Sequence, residues 1–172
     1  MKNKILLLLT LLLVSVSGLQ ARRQLTTVPY VDVNKYMGKW YEIASFPQKF
    51  QDGCSCTTAE YSLNANGTVT VRNSCNKDLY RKVATATAYV KDKQTNAKLA
   101  VEFFPPFKGK YWIIDLADDY SYAVVGHPKR KYLWILSRTS TMNETLYNAI
   151  VERAASKGFD ISKLNKTMQC DK

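Results

Sequence analysis

The sequence predicts an all-β fold: an eight-stranded antiparallel up-and-down β-barrel with one C-terminal α-helix packed against its outside. Three observations support this. Short segments rich in β-branched and aromatic residues follow one another along most of the chain, separated by turn residues. The connections between these segments are too short for the crossovers of a parallel sheet. A single stretch with helical periodicity follows the last segment.

Eight segments have strand character and follow one another in meander order. The Asn-Ala-Asn-Gly sequence at residues 64–67 favours a hairpin, because asparagine and glycine accept positive φ angles. Pro105 and Pro106 end another segment. The predicted strands are residues 38–46, 57–63, 68–74, 81–90, 99–104, 110–116, 120–125 and 132–138.

A sheet of eight strands joined by hairpins can bury its apolar face in two ways. It either splits into a two-layer sandwich or closes on itself, and closure removes the exposed edges. We expect closure. An eight-stranded barrel has an interior just large enough for one small ligand.

The hydrophobic period changes after the last strand. Residues 143–157 carry Leu146, Ile150 and Ala154 at four-residue spacing, which predicts an amphipathic helix. Gly158 suits the left-handed conformation that ends many helices. A single helix after eight strands is no crossover, so we expect it to pack against the outside of the barrel.

Residues 1–21 have the layout of a secretory signal peptide. A front with two lysines precedes an apolar run over residues 5–16, and small residues follow up to Ala21. The run is too short to span a membrane. We expect cleavage after Ala21, with Gly18 as a second candidate, and a secreted mature domain over residues 22–172. No cysteine lies near the cut to carry a lipid anchor.

The chain is basic, with a formal net charge of +11. Because two lysines leave with residues 1–21, the mature charge is +9. The excess is spread out, and its densest run is Lys-Arg-Lys at residues 129–131. This predicts a cationic surface with weak affinity for anionic membranes. It argues against a nucleic acid partner, which needs a basic stripe interleaved with exposed aromatic residues.

The four cysteines, Cys54, Cys56, Cys75 and Cys170, predict two disulfides, since an even number follows a signal peptide. Three pairings are possible. A metal site is disfavoured, because His127 is the single histidine and no Cys-x-x-Cys occurs. The sequence implies no cofactor.

Three asparagines match the acceptor pattern for N-linked glycosylation, and its use depends on a eukaryotic host. The candidate glycosylation sites are Asn66, Asn143 and Asn165.

Three motifs in order along the chain resemble those of the lipocalins. Residues 34–44 contain a Gly-x-Trp at Gly38 and Trp40, and Arg138 follows the last predicted strand. Asp-Asp-Tyr at residues 118–120 is similar to the family's Thr-Asp-Tyr and departs at its first position. The resemblance covers essentially the whole mature chain. It points to the branch with bacterial outer-membrane lipocalins and apolipoprotein D, and implies the lipocalin calyx.

The resemblance implies that these motifs build the closed end of the barrel. Trp40 would plug that end, with the guanidinium of Arg138 across its indole, a contact worth about 1–2 kcal/mol when desolvated. Asp119 and Tyr120 would form a turn that ties the same end. Gly38 belongs to the same motif. We therefore assign these residues to the scaffold.

The cavity-lining residues are predicted partly by resemblance and partly by alternation along strands. Resemblance to apolipoprotein D implies Tyr61 and Trp134, and alternation adds Leu136 on the face of Trp134. The same rule places Glu42 and Ala44 on the face of Trp40. The predicted lining residues are Tyr61, Phe103, Tyr111, Trp134 and Leu136.

Two of these choices are open at this stage. The sequence does not fix which of Phe103 and Phe104 points inward, nor which of Tyr111 and Trp112 does.

The resemblance also implies a disulfide pairing. Cys56 aligns with the family cysteine that joins the barrel to the C-terminal tail, which gives Cys56–Cys170 and leaves Cys54–Cys75. The alternative is Cys56–Cys75, because these two lie nearly opposite each other across the hairpin at residues 64–67.

The predicted function is to bind and transport a small hydrophobic ligand, such as a fatty acid or lysophospholipid, as a monomer or dimer. Two alternatives remain: a bilin or other tetrapyrrole carrier, and a defence or signalling protein acting through its surface. We expect no enzyme, since His127 lies in a turn and the cysteines are expected in disulfides.

Overall fold

The computed structural model describes residues 24–170 and folds them into a sheet of nine strands with two α-helices. Short 3-10 helices cover Lys49–Gln51 and Ile161–Lys163. The α-helices are α1 (Val33–Tyr36) and α2 (Glu144–Ser156). The strands are β1 (Gly38–Ser45), β2 (Cys54–Leu63), β3 (Val69–Lys77), β4 (Tyr80–Val90), β5 (Lys98–Phe104), β6 (Phe107–Leu116), β7 (Tyr122–Gly126), β8 (Leu133–Ser137) and β9 (Asn165–Lys166).

Strands β1 to β8 form a closed antiparallel barrel. Each pairs with its neighbour in sequence, and β1 pairs with both β2 and β8. Closure leaves the eight strands without a free edge along the meander. The predicted eight-stranded up-and-down barrel is confirmed, and the sandwich is excluded.

The ends of some elements differ from the prediction. Strand β2 begins at Cys54 rather than at residue 57, and β6 begins at Phe107 rather than at residue 110. Polar and glycine-containing stretches at these ends hide the strand pattern, but pairing with the next strand extends both ladders. The short elements α1 and β9 were not predicted, because four and two residues carry no readable period.

The C-terminal tail bridges β1 and β2 where these strands stop pairing. Their shared register ends at Tyr41 and Thr58. Beyond that point β9 pairs with β1, and Cys56 N donates to Met168 O at 2.7 Å. The side-chain amide of Gln169 donates to a backbone carbonyl of each strand. The tail therefore completes the wall of the open half.

A β-bulge in β1 corrects one expectation from alternation. The register shifts between Glu42 and Ala44, so Ala44 joins the hydrophobic cluster outside the barrel with Ile43. Glu42 remains on the cavity side with Trp40. The extra residue of a bulge breaks the two-residue period, and the sequence alone carried no sign of it.

Two hydrophobic clusters stabilise the fold. The first fills the interior of the barrel around Trp40. The second packs α2 and the tail against the outside of β1, β6, β7 and β8. The buried side chains of the first include Val31, Tyr36, Trp40, Val69, Val71, Ala88, Ile113, Val125 and Leu136. Those of the second include Leu25, Ile43, Phe46, Ile114, Val124, Leu133, Ile135, Ile150 and Phe159.

Helix α2 packs outside the barrel, as predicted. It buries Tyr147, Ile150 and Ala154, whereas Leu146, expected on the packed face, is 37% exposed. The chain leaves the helix at Gly158 with a φ of 84°, in the left-handed region. Within residues 24–170 no helix is long and apolar enough to cross a membrane.

Both disulfides attach to the start of β2. Cys54 joins Cys75 on β3, with Cα atoms 5.5 Å apart, and Cys56 joins Cys170 in the tail, with Cα atoms 5.2 Å apart. This is the pairing that the family resemblance implies, and the alternative Cys56–Cys75 does not occur. The second disulfide holds the tail against the barrel wall.

Candidate functional site: a cavity open at one end

The interior of the barrel contains a cavity of about 750 Å³ that opens at one end. This volume lies within the range of roughly 300–1,000 Å³ typical of small-molecule sites. All five predicted lining residues contribute to its wall. The cavity residues discussed below are Glu42, Gln48, Gln51, Thr57, Tyr61, Asn73, Phe103, Tyr111, Trp134 and Leu136.

The structure decides both choices that the sequence left open. Phe103 packs against the interior cluster, while its neighbour Phe104 lies at the rim and is 77% exposed. Tyr111 points into the barrel, while Trp112 packs against the outer cluster. The alternation along β5 and β6 accounts for both results.

Three tyrosines form the floor of the cavity; Tyr36 and Tyr61 are buried and Tyr111 is partly buried. The hydroxyl of Tyr111, on β6, hydrogen bonds with that of Tyr36, on α1, at 2.8 Å and with that of Tyr61, on β2, at 2.9 Å. Burial raises the pKa of Tyr61 to about 12, and it raises the pKa of Tyr36 and Tyr111 well above the usual value. The void on the far side is about 20 Å³, room for roughly one water molecule.

Below the floor, Trp40 and Arg138 close the barrel. The guanidinium carbon of Arg138 lies 3.7 Å from the centroid of the Trp40 ring. Its nitrogens donate to the backbone carbonyls of Lys35 and Lys39 at 2.7 and 2.9 Å. The indole N–H of Trp40 donates to Tyr36 O at 2.9 Å. The guanidinium of Arg138 and the indole of Trp40 therefore contact the scaffold and do not face the cavity.

The turn before β7 ties down the same end. The carboxylate of Asp119 accepts a hydrogen bond from Ser121 N at 2.9 Å. Hydrogen bonds from the side chain of Ser121 and then from its backbone lower the pKa of Asp119. The hydroxyl of Tyr120 accepts from Asp32 N at 2.8 Å. Gly38 has a φ of 91°, and a Cβ added there would lie 3.5 Å from Arg138 Nη1. The closed end therefore fixes the N-terminal segment against the barrel.

One wall of the cavity is polar, which sequence reasoning missed. Glu42 is 5% exposed, and its carboxylate accepts hydrogen bonds from the side chains of Ser45, Gln51 and Thr167. No ion pair joins it to a basic side chain in the described part of the chain. The one available signal was a glutamate two residues after Trp40, on the same face of β1.

Four further side chains of this wall carry buried polar atoms. Within residues 24–170 these atoms have no hydrogen bond partner. They are Gln48 Nε2 and Oε1, Gln51 Oε1, Thr57 Oγ1 and Asn73 Oδ1. The first 3-10 helix and strands β2 and β3 place these residues on one wall, although they come from three separate segments.

The rim of the cavity is apolar and cationic. Phe104 and Phe107, each 77% exposed, face each other across the β5–β6 hairpin, and Leu79 is fully exposed in the β3–β4 hairpin at the same end. Lys129 and Lys131 lie in the β7–β8 loop and border the cavity. These residues lie around the open end of the barrel.

Groups suited to catalysis or metal binding are sparse in the described residues. No cluster of three or more potential metal ligands occurs between residues 24 and 170. All four cysteines are in disulfides. Partial burial, followed by the neighbouring lysines, lowers the pKa of His127, whose Nδ1 accepts a hydrogen bond from Lys129 N.

The sequence is similar to known proteins over most of its length. Temperature-induced lipocalin-1 of Arabidopsis thaliana is 44% identical over 159 residues, which cover 87% of this chain and 86% of the plant protein. Outer membrane lipoprotein Blc of Escherichia coli is 38% identical over 155 residues, covering 88% and 87%. Mouse apolipoprotein D is 35% identical over 153 residues, covering 81% and 78%.

The fold and the family model agree with these relatives. Insecticyanin from the tobacco hornworm Manduca sexta superimposes with a TM-score of 0.70 at 20% identity, covering 86% of this chain and 85% of insecticyanin, which shows a shared fold. A family model for the lipocalin-like domain matches residues 31–169. The chain therefore belongs to the lipocalin family.

Proposed function

We propose that this lipocalin binds and transports a small hydrophobic ligand, a lipid such as a fatty acid or lysophospholipid, inside its barrel. The cavity of about 750 Å³, apolar over most of its wall and open at one end, carries the proposal. Aromatic residues with a polar end, such as Tyr61 and Trp134, suit a ligand with both a tail and a head.

The apolar contact alone is enough for useful affinity. A sixteen-carbon tail would gain on the order of 12 kcal/mol, at about 0.8 kcal/mol per buried methylene. Association and ordering cost at least about 4 kcal/mol. The remaining 8 kcal/mol or so corresponds to a Kd near the micromolar range.

We propose a carrier rather than an enzyme. Lipocalins are generally ligand-binding carriers. The disulfides leave no thiol nucleophile among the described cysteines, and His127 lies at the rim rather than beside a nucleophile. These observations support a role that ends with binding and release.

We further propose that the chain acts outside the cytoplasm, close to a membrane surface. The expected signal peptide falls on residues 1–21, outside the described residues. Relatives include an outer membrane lipoprotein and an apolipoprotein. The exposed side chains of Leu79, Phe104 and Phe107 next to lysines would suit brief contact with anionic lipid during ligand exchange.

The test of the proposed function is direct identification of bound lipid. Protein purified from its natural source would be extracted with organic solvent, and the extract read by mass spectrometry beside a protein-free blank. We expect one lipid class at near-stoichiometric amount. The same lipid should displace a fluorescent fatty acid from the recombinant protein. An empty extract together with no binding of the fluorescent fatty acid would contradict the proposal. A coloured tetrapyrrole in the extract would show that the ligand is a pigment rather than a lipid.

A further inference from the structure

The polar wall of the cavity, formed by Glu42, Gln48, Gln51, Thr57 and Asn73, has more hydrogen bond acceptors than donors. Its atoms without a partner in the described chain include three amide oxygens and one amide nitrogen, with the hydroxyl of Thr57 able to do either. Gln48 and Thr57 are 9% and 5% exposed, so bulk water does not satisfy them.

The charge of this wall also disfavours an anionic ligand. Glu42 supplies its one carboxylate, held by three neutral donors. A second anion placed here would meet this carboxylate and the amide oxygens at close range, and like charges in a site of low dielectric repel strongly. The basic side chains that border the cavity are Lys108 and Lys110 on β6 and Lys129 and Lys131 in the β7–β8 loop, and all four are exposed.

We infer that this wall recognises the head group of an amphipathic lipid, and that the head is uncharged and donates hydrogen bonds through hydroxyl groups. The inference rests on the proposed function and narrows its ligand to a lipid without the charged head of a fatty acid or lysophospholipid. A hydroxyl-bearing head supplies the donors that the amide oxygens lack. The tail then lies against Trp134, Leu136 and Phe103, which share the cavity.

An unpartnered buried polar group costs stability, so its presence beside a cavity is informative. The free energy lost by leaving such a group without a partner exceeds the net free energy that an ordinary hydrogen bond contributes. Well-packed interiors keep few groups of this kind, and here five such atoms, each with almost no accessible surface, belong to four side chains that line one cavity. Rotation of these side chains toward the cavity would let a bound head group satisfy them.

Three probes with the same tail separate the head-group properties. Monopalmitoylglycerol is neutral and donates hydrogen bonds, methyl palmitate is neutral and does not donate, and palmitate is an anion. Their affinities would be measured by displacement of a fluorescent fatty acid from the full chain. We expect monopalmitoylglycerol to bind at least about tenfold more tightly than either of the others, which corresponds to two or more hydrogen bonds of ordinary strength.

Variants locate the effect on the wall. Thr57→Val and Gln48→Leu should each reduce the preference for monopalmitoylglycerol over methyl palmitate by about threefold to tenfold. Thr87→Val, on β4 between the inward-facing Ala86 and Ala88, is the matched control and should leave the preference unchanged. Thr57→Val should also raise the melting temperature of the ligand-free protein by about 2–4 °C, because an unpartnered hydroxyl is removed.

The outcomes separate this inference from the proposed function. If palmitate or methyl palmitate binds as tightly as monopalmitoylglycerol, the head-group assignment is wrong while the carrier function stands. If the preference survives both Thr57→Val and Gln48→Leu in folded protein, the wall is not its source. If none of the three lipids binds, the proposed function itself fails.

Discussion

The closed and open halves of the barrel are built from the same alternating strands but differ in whether their buried polar groups have hydrogen bond partners. At the closed end, the indole N–H of Trp40 and the guanidinium of Arg138 donate to backbone carbonyls. In the open half, Gln48 and Thr57 bury polar atoms that find no partner in the described chain. Satisfied groups rigidify a fold, whereas unsatisfied groups on side chains that line a cavity can gain a partner if those side chains turn toward a ligand.

This contrast assigns different tasks to similar residues. Trp40 and Trp134 both point into the barrel, but they have different functions. Trp40 is fully buried under Arg138, while Trp134 remains partly exposed to the cavity. Removing the first should therefore affect folding, and removing the second should affect binding.

The largest expected effect is on the closed end. Trp40→Ala should lower the free energy of unfolding by about 3–5 kcal/mol, because a fully buried indole and its contact with Arg138 are both lost. Chemical denaturation measures the change. A loss below about 1 kcal/mol, accompanied by a large loss of ligand affinity, would reverse the roles of the two ends.

The next effect concerns the cavity. Trp134→Ala should weaken binding of a fluorescent fatty acid by about tenfold to a hundredfold, since about 1.5–3 kcal/mol of apolar contact is removed. Trp112→Ala is the control, because Trp112 packs on the outside of the same barrel. Equal losses of affinity in the two variants would show that the ligand does not occupy the interior.

The tyrosine floor predicts a loss of stability at high pH. The pKa of Tyr61 is about 12 in the fold, above its usual value of 10. The folded state therefore keeps a proton that the unfolded chain releases, so stability is full below pH 10 and falls as the pH rises from 10 towards 12. Tyr61→Phe should flatten this fall, measured by denaturation at a series of pH values.

A control residue tests the cause of that pH dependence. Tyr80 is 57% exposed in the β3–β4 hairpin. Tyr80→Phe should leave the alkaline fall in stability unchanged. If it flattens the fall as much as Tyr61→Phe does, burial of the floor is not responsible.

The smallest effect is expected at the rim. Leu79→Ser should reduce sedimentation with anionic phospholipid vesicles by about threefold to tenfold, through loss of part of one leucine's contact with lipid. Leu63→Ser is the matched control, since Leu63 is also exposed but lies at the closed end. Equal losses for the two variants would contradict rim-directed contact.

The parts of the fold that follow from periodicity could be predicted from the sequence. Turn residues between alternating segments indicated the meander, and apolar residues at four-residue spacing indicated α2. The bulge after Glu42 and the two-residue strand β9 could not be predicted, because each depends on pairing with distant residues. The cavity face of Phe103 and Tyr111 was likewise fixed by register with neighbouring strands.

The polar wall was the main feature of the site that the sequence did not indicate. Gln48, Thr57 and Asn73 are ordinary polar residues in three separate segments, and none forms a motif. They meet because β1 and β2 separate and the tail, held by Cys56–Cys170, bridges them. Their position on one wall can be recognised only once the pairing register of the strands is known.

The most direct test of the account uses the chain's three tryptophans and a lipid brominated along its tail, which quenches tryptophan fluorescence at short range. We predict strong quenching in the native chain and in Trp112→Phe, and loss of most of that quenching in Trp134→Phe. Quenching that disappears in Trp112→Phe and persists in Trp134→Phe would place the lipid on the outside of the barrel and contradict the account.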